Sequence, residues 1–365
     1  MNISHKASRT TALLAALMAT VAAMACTSAL VSADASATGR WMLWKHRDSG
    51  HKDNIVDRVE ATDSTMAYVA LFNAGDTRRE EAWIGFNSAG FAVMNTASYN
   101  LAPDTARLKD REGFLMSRAL GVCRTLEDFD SLLSALPRPL GVQANFGAVD
   151  ASGNGAFFET HDNGFVRYNL SDAPDGMLLR TNFSFSGGPA NRLGTERFDN
   201  ERYIIDTITA KWKLAPWHFT ETLSRSFRLP DGSDPLTRGR VSMPDKGRCI
   251  ARGNSTASVV IEGPLPGDTS GKGIVMWTAI GFPAFSSVLP ATIDSIPAPL
   301  KAASNGRSTQ CDLANSLRAK ATIKNGKQRS FNLDIIRKHI DACRRKALAE
   351  YGKRHPAAPK PHKKK

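Results

Sequence analysis

Ala23-Met24-Ala25-Cys26-Thr27-Ser28 is the stretch on which the reading of this chain turns. Upstream of it, Lys6 and Arg9 give a positive start, and residues 11–25 form a run of small and apolar residues. That is the anatomy of a secretory signal, and Ala23-Met24-Ala25 fits the small-x-small pattern after which a signal peptidase cuts. The run is too short to span a bilayer comfortably, and no later stretch reaches about 18 uninterrupted apolar residues. A cut after Ala25 makes Cys26 the first residue of the mature chain. One residue then carries a thiol and a free α-amine, a nucleophile with its own base. Two other readings compete. A cut after Val31-Ser32-Ala33 removes the cysteine and starts the chain at Asp34. A lipoprotein signal puts a lipid on Cys26, but that pattern wants leucine where Ala23 stands, and the lipid would block the amine.

Outward from Cys26 the pattern is sheet. Residues 26–31 read as a strand, Asp34 to Gly39 as a turn and residues 41–45 as the returning strand of a hairpin. Strands are expected at 68–72, 82–86 and 91–95, the last two joined by Asn87-Ser88-Ala89-Gly90. Two helices follow at 113–123 and 126–136, the second capped by Thr125 and stopped by Pro137. Strands resume at 144–149 and 155–160 about the turn Asp150-Ala151-Ser152-Gly153-Asn154, then at 165–169 and 177–183. Helices at 196–210 and 219–226 precede a Gly/Pro/Asp-rich loop near 229–247, and strands at 258–262 and 274–279 close the sheet region.

Beyond Pro299 two helices are expected, at 311–323 and 331–351, the second with Leu333, Ile336, Ile340 and Leu348 toward one face. From His355 the chain is rich in Pro and Lys and reads as disordered. Strands, paired helices, more strands and further helices suit an α+β protein with helices covering a largely antiparallel sheet. The division is residues 1–25 as signal, 26–299 as catalytic domain, 300–351 as C-terminal helical extension and 352–365 as a basic tail.

The formal charge of +13 would ordinarily suggest an anionic partner. Nine Lys or Arg and one Glu lie between Arg344 and Lys365, and the signal adds two more cations, which leaves +3 for residues 26–343. The basicity thus belongs to the ends. It comes without interleaved aromatics, which argues against nucleic-acid binding. The five cysteines stand at 26, 123, 249, 311 and 343. Export permits disulfides, and Cys311 with Cys343 is the pair to test first, while Cys123 sits among apolar residues as a buried thiol. Neither a Cys-x-x-Cys nor a zinc-type histidine spacing occurs, so no metal is expected.

Several ordered segments resemble one family. Cys26-Thr27-Ser28 and a hairpin ending Lys45-His46-Arg47-Asp48 look like the start of N-terminal-nucleophile (Ntn) amide hydrolases of the choloylglycine hydrolase, penicillin V acylase and isopenicillin-N acyltransferase type. The hairpin of residues 85–95, the Asp150-Ala151-Ser152-Gly153 to Glu159 strand pair, Leu179-Arg180-Thr181-Asn182 and residues 255–283 resemble further family motifs in the same order.

The resemblance implies a four-layer αββα sandwich of mainly antiparallel sheets, and a cysteine-nucleophile hydrolase of linear amide C–N bonds. It also implies roles. Cys26 would attack the carbonyl of a small-molecule N-acyl amide, with its own amine, titrating near pH 8, as base. Asp48 would orient the nucleophile, and Lys45 would favour the thiolate from a position usually held by arginine. Asn182 would donate to the oxyanion, completed by Asn95 or Thr96. No cofactor is implied. Asp150 and Glu159 read as residues that shape their hairpin and its edge. The chain departs from the family at Lys45, at His46 and Arg47, and at Phe183. The late arginine has three candidates, Arg197, Arg202 and Arg238. An acyltransferase using an amine acceptor, and a surface lipoprotein or binding module on the same fold, are the alternatives. The expected location is periplasmic or extracellular, lipid-anchored in the alternative, and homo-oligomerisation stays open.

Overall fold

The computed structural model describes residues 25–356 apart from residues 104, 238, 246 and 247. The expected signal up to residue 24, Arg238 and the end of the basic tail from residue 357 lie outside the described residues.

The chain opens with the hairpin of β1 (Thr27–Val31) and β2 (Met42–Asp48). A meander follows: β3 (Asn54–Val59), β4 (Tyr68–Asn73), β5 (Ile84–Asn87), β6 (Ala92–Ala97), then α1 (Glu112–Val122) and α2 (Leu126–Ala135). It continues through β7 (Ala144–Val149), β8 (Gly155–His161) and β9 (Gly164–Asn169). Next come β10 (Met177–Arg180), α3 (Thr195–Thr209), a π-helical turn at His218–Leu223 and the short β11 (Ser242–Pro244). β12 (Ser255–Glu262), β13 (Val275–Ile280) and β14 (Leu289–Ala291) precede α4 (Thr309–Ala321), β15 (Thr322–Asn325), β16 (Gln328–Asn332) and α5 (Leu333–Arg354).

Two antiparallel sheets result, one of six strands in the order β10-β1-β2-β12-β13-β14 and one of seven that follows β3 to β9. Side chains alternate across a strand, and this assigns the layers. Leu43, Val259 and Ile261 join the core that also holds the seven-stranded sheet, α1 and α2. Their neighbours Met42, Trp44 and Val260 join a second core with Ile205 of α3 and Tyr351 of α5. The strands β1, β2 and β12 are therefore buried on both faces. The architecture is a four-layer αββα sandwich, α1 and α2 outside one sheet, α3 and α5 outside the other.

Local chemistry explains the elements. α2 starts with a reciprocal capping box in which Thr125 Oγ1 accepts from Asp128 N–H at 3.1 Å and Asp128 accepts from Thr125 N–H at 2.9 Å. Asp150 does more than turn its hairpin: its carboxylate accepts from Asn154 and also from Leu126 N–H, tying the β7–β8 turn to the start of α2. Gly281 takes φ +81°, and a Cβ there would stand 2.6 Å from Ala314 Cβ, so a glycine lets α4 approach the end of β13.

Four features differ from the sequence reading. β3 went unrecognised because Asp57 and Arg58 interrupt its apolar pattern on an edge strand. The strand expected at 177–183 stops at Arg180, since Asn182 turns toward the Cys26 nitrogen. The C-terminal segment is not wholly helical. β15 and β16 form a hairpin, with β-branched Thr322 and Ile323 ending α4, and join β11 in a small third sheet. α5 runs on to Arg354, and His355 lies 3.0 Å from Glu262 against the rings of Trp217 and Trp277.

All five cysteines are free and buried. Cys311 faces β3, its thiol 3.2 Å from Lys52 O and 3.4 Å from Asn54 N, so it is committed away from Cys343. Burial pushes the Cys123 and Cys249 thiols up to about 12 and Cys311 up to about 11, which leaves all three as inert thiols at neutral pH.

Candidate active site

Cys26 stands just before β1 and is 1% exposed. In the β1–β2 ladder Thr27 pairs with His46 and Ser28 with Lys45, so continuing the register sets Cys26 across from Arg47. Alternation along β2 sends Lys45 and Arg47 inward between the sheets with Leu43, and His46 and Asp48 to the other side. Each half of the environment of Cys26 thus comes from one face of a single strand.

On the inner side, Lys45 Nζ donates to Asn95 Oδ1 at 2.7 Å and to Trp83 O at 2.8 Å. Arg47 donates to Asn54 Oδ1 at 2.5 Å and to Asn73 Oδ1 at 2.9 Å, and its guanidinium lies 4.8 Å from the centre of the Trp83 ring. Burial pushes the Lys45 ammonium down to about 7, opposed by the charge of Cys26, and pushes Arg47 down to about 10. Trp83, Asn73 and Asn95 also line a cleft of about 910 Å³ whose walls include Tyr99, Leu101 and Glu112. Cys26, Lys45 and Arg47 lie behind that wall and are buried.

On the other side, Asp48 Oδ1 accepts from Ser255 Oγ at 2.6 Å and Oδ2 from Arg252 Nε at 2.8 Å. His46 Nε2 lies 2.9 Å from the same Ser255 hydroxyl and 3.5 Å from Asp48. Burial alone would raise the Asp48 carboxyl, but the Arg252 charge, His46 and Arg197 outweigh it and bring it down to about 2. Arg252 Nη2 also reaches Ala25 O at 3.5 Å. Ala25 precedes Cys26 here, so the Cys26 nitrogen is a peptide N–H.

That N–H donates to Asn182 Oδ1 at 2.9 Å. Asn182 is fixed twice more, accepting from Arg197 Nη2 at 2.6 Å and donating through Nδ2 to Ala97 O at 2.7 Å. Arg197 reaches over from α3 to the carbonyl of Cys26 and to Thr27 Oγ1, the latter at 3.0 Å. The loop carrying Asn182 is itself anchored. Asn145 Nδ2 donates to Thr181 O and Phe183 O, and Glu159 accepts from Arg180 Nε, Phe185 N–H and Ser186 N–H at 2.7–2.8 Å. Glu159, expected at a hairpin edge, is a fully buried anchor of the site loop.

Cys26, Lys45, Asp48, Asn95 and Asn182 therefore meet in one buried cluster, Asn95 through Lys45. Asn182 shows its acceptor oxygen to the Cys26 nitrogen, while its amide nitrogen faces Ala97. Among the candidates for the late arginine, Arg197 is in the cluster and Arg202 is outside it, paired with Asp175 and Asp206. Arg252 and Ser255 went unnoticed in the sequence. They have no local signature, and only the pairing of β12 with β2, which sets Ser255 against Asp48, brings them in. Among the described residues no group of three or more His, Cys, Asp or Glu is arranged to hold a metal.

No family model matches the chain, and no curated protein matches it by sequence. Solved structures do. The fold is similar to that of the Caenorhabditis elegans ortholog of N-acylethanolamine-hydrolyzing acid amidase, at 14% identity over 67% of this chain and 94% of that one, with a TM-score of 0.43. It is similar to a mutant conjugated bile acid hydrolase from Clostridium perfringens, at 11% identity over 75% and 94%, TM-score 0.46. It is also similar to penicillin V acylase from Agrobacterium tumefaciens, at 13% identity over 74% and 87%, TM-score 0.39.

Proposed function

We propose that the mature protein starts at Cys26, is exported, and hydrolyses a linear C–N amide bond of a small N-acyl amide. The observation that carries this reading is the placement of Cys26: buried at a strand start, its own nitrogen held by Asn182, its carbonyl by Arg197, and β2 with Lys45 and Arg47 alongside. Once Ala25 is removed, the same nitrogen becomes an amine that titrates near pH 8. It takes the proton from Sγ as the thiolate attacks the acyl carbon. The C–N bond breaks, the amine leaves with that proton, and the acyl group stays on sulfur as a thioester. Water then adds, the S–C bond breaks and the carboxylic acid leaves.

In this scheme Lys45 offsets the thiolate charge, and Asp48 holds the Cys26 amine in place together with Asn182. Asn182 Nδ2 and Asn95 supply donors to the oxyanion, and removing one such donor costs about 10²–10³ in turnover. The test is Cys26→Ser and Cys26→Ala in the matured protein with a panel of chromogenic amides. Loss of turnover by about 10³ or more is expected, since the nucleophile is a member of a unit that fails together. Retained activity in Cys26→Ala would sink the reading. N-terminal sequencing and intact mass test the maturation step. An unmodified start at Cys26 supports the enzyme, a diacylglyceryl mass supports the lipoprotein alternative, and a start at Asp34 disposes of the nucleophile.

A further inference from the structure

The charge of the chain is split along its length. Residues 300–365 hold 18 Lys or Arg against four Asp or Glu, whereas residues 26–299 hold 28 against 31. The positive excess therefore gathers in the segment of α4, β15, β16 and α5. Its four acids are already answered from within it: Asp312 lies 2.6 Å from Arg307, Asp334 2.6 Å from Arg337, Glu350 2.7 Å from Lys353 and Asp341 4.0 Å from Arg344. Arg318 is buried on the carbonyls of Gly253 and Ser255, and Arg329 reaches Asp245 at 3.1 Å. Between Asp312 and Asp334 no acid occurs in the sequence. Lys320, Lys324 and Lys327 stand exposed there, without an ion pair among the described residues.

α5 turns this excess into a face. Ile336, Ile340 and Ala347 lie on its buried stripe. With 3.6 residues per turn, the opposite stripe runs Lys338, Ala342, Arg345, Ala349 and Lys353, with Lys346 beside it. From Lys338 to Lys353 that stripe is about 22 Å long at the helical rise. Lys338 and Lys346 are exposed and Arg345 half-buried, and none of the three has an ion pair among the described residues. Asp334 and Asp341 stand along one edge, each taken up by the arginine three residues on. The alanines between the cations leave room for long stems to lie on the helix and carry their charges outward.

We propose that this segment docks the protein on a membrane leaflet rich in anionic lipid, with the outward face of α5 laid along the headgroups. The proposal does not depend on the amidase reading. A straight basic stripe matches a flat sheet of negative charge, and each Lys or Arg held near such a surface adds to the attraction. Single-stranded nucleic acid would call for exposed rings on which bases stack, and the Phe331 and Tyr351 rings of this segment are both buried. No large apolar side chain stands on the outward stripe, so the contact is one of charge at the headgroups and not of insertion. No helix among the described residues is long and apolar enough to cross a membrane.

The test is cosedimentation of the purified protein with vesicles of phosphatidylcholine alone and of phosphatidylcholine mixed with phosphatidylglycerol. Binding is expected to the mixed vesicles and not to the neutral ones. It should fade as salt rises from about 0.1 to 1 M, where the screening length falls from about 10 to 3 Å. Each cation near the surface is worth about fivefold in affinity, so the triple variant Lys338→Gln, Arg345→Gln, Lys346→Gln should bind about 100-fold more weakly. Should that triple fail to fold, Lys338→Gln alone, at an exposed position, should show about the fivefold loss. A control removes three exposed cations from outside the segment, by Lys211→Gln, Lys213→Gln and Lys272→Gln, and should lose less than one charge's worth. An equal loss in the control would overturn the proposal, since net charge and not the α5 face would then set the binding. Equal binding to neutral vesicles would overturn it, and so would tighter binding to a DNA duplex than to the mixed vesicles at the same salt.

Discussion

Lys45 and Asp48 sit three residues apart on one strand and meet opposite electrostatic fates, which makes both of them measurable. Lys45 has its ammonium brought down to about 7 by burial, so its charge is present below that pH and lost above it. If that charge favours the thiolate, the contribution fades as pH rises through about 7. Arginine keeps its charge throughout. Lys45→Arg should therefore move the alkaline limb of the kcat/KM profile up by more than about one pH unit, and an unmoved limb would exclude Lys45 from that role. For stability the sign is reversed. A lysine whose folded value is lowered penalises folding while it is charged, and the penalty shrinks as pH rises from about 7 toward its unfolded value near 10.4. Lys45→Met should stabilise the fold near neutral pH by about 1–4 kcal/mol and abolish activity, a trade seen in denaturant melts set beside rates.

Asp48 is the mirror case. Its folded value is depressed to about 2, so it contributes stability above its unfolded value of about 3.9, and loses it as pH falls through about 2. Asp48→Asn strands the Arg252 guanidinium and should cost about 3–5 kcal/mol at neutral pH. The gap between wild type and variant should close in urea melts as pH falls from about 4 toward 2.

At the scale of elements, legibility followed how local the signal is. β1 with β2, the β7–β8 pair and α2 were readable because alternation, a five-residue turn and a capping threonine lie within a few residues of each other. Lys45 and Asp48 came from the resemblance of Lys45-His46-Arg47-Asp48 to a family motif. Arg252 and Ser255 were not readable, because each meets Asp48 from far along the chain: Asp48 and Arg252 are 204 positions apart. β15 and β16 were hidden because a short polar hairpin carries little apolar pattern, and the β-branched Thr322 and Ile323 read as a helix end. The His355 contact was hidden by composition, since a Pro/Lys-rich segment gives no sign that its first residue meets a buried glutamate.

Leu333, Ile336, Ile340 and Ala347 bury one face of α5, and an aromatic plug holds its C-terminal end. Tyr351 is fully buried, its ring 4.2 Å from Trp277 and its hydroxyl 2.8 Å from Thr220 Oγ1. Tyr351→Ala should cost about 3–5 kcal/mol. It should also expose the end of α5 to limited proteolysis before the sheets unfold. A global loss of stability without early cleavage of α5 would show that the plug serves the whole core instead.

At the scale of the molecule, two sheets and two helical layers hold Cys26 where a large enzyme does not reach it. Ala25 is 8% exposed and Cys26 1%. A peptidase needs several residues of extended, accessible chain on either side of the bond it cuts, and a bond packed into a core offers none. On the maturation proposed above, the cut before Cys26 would have to come before the sheets close over that bond. Folding and processing are then competitors in a race, and the order of finishing is recorded in the protein. Under that proposal, a chain that folds first would stay uncut and inactive, with an amide nitrogen where an amine is needed. Refolding the full-length chain in vitro and adding the peptidase before or after refolding should give active protein only in the first order.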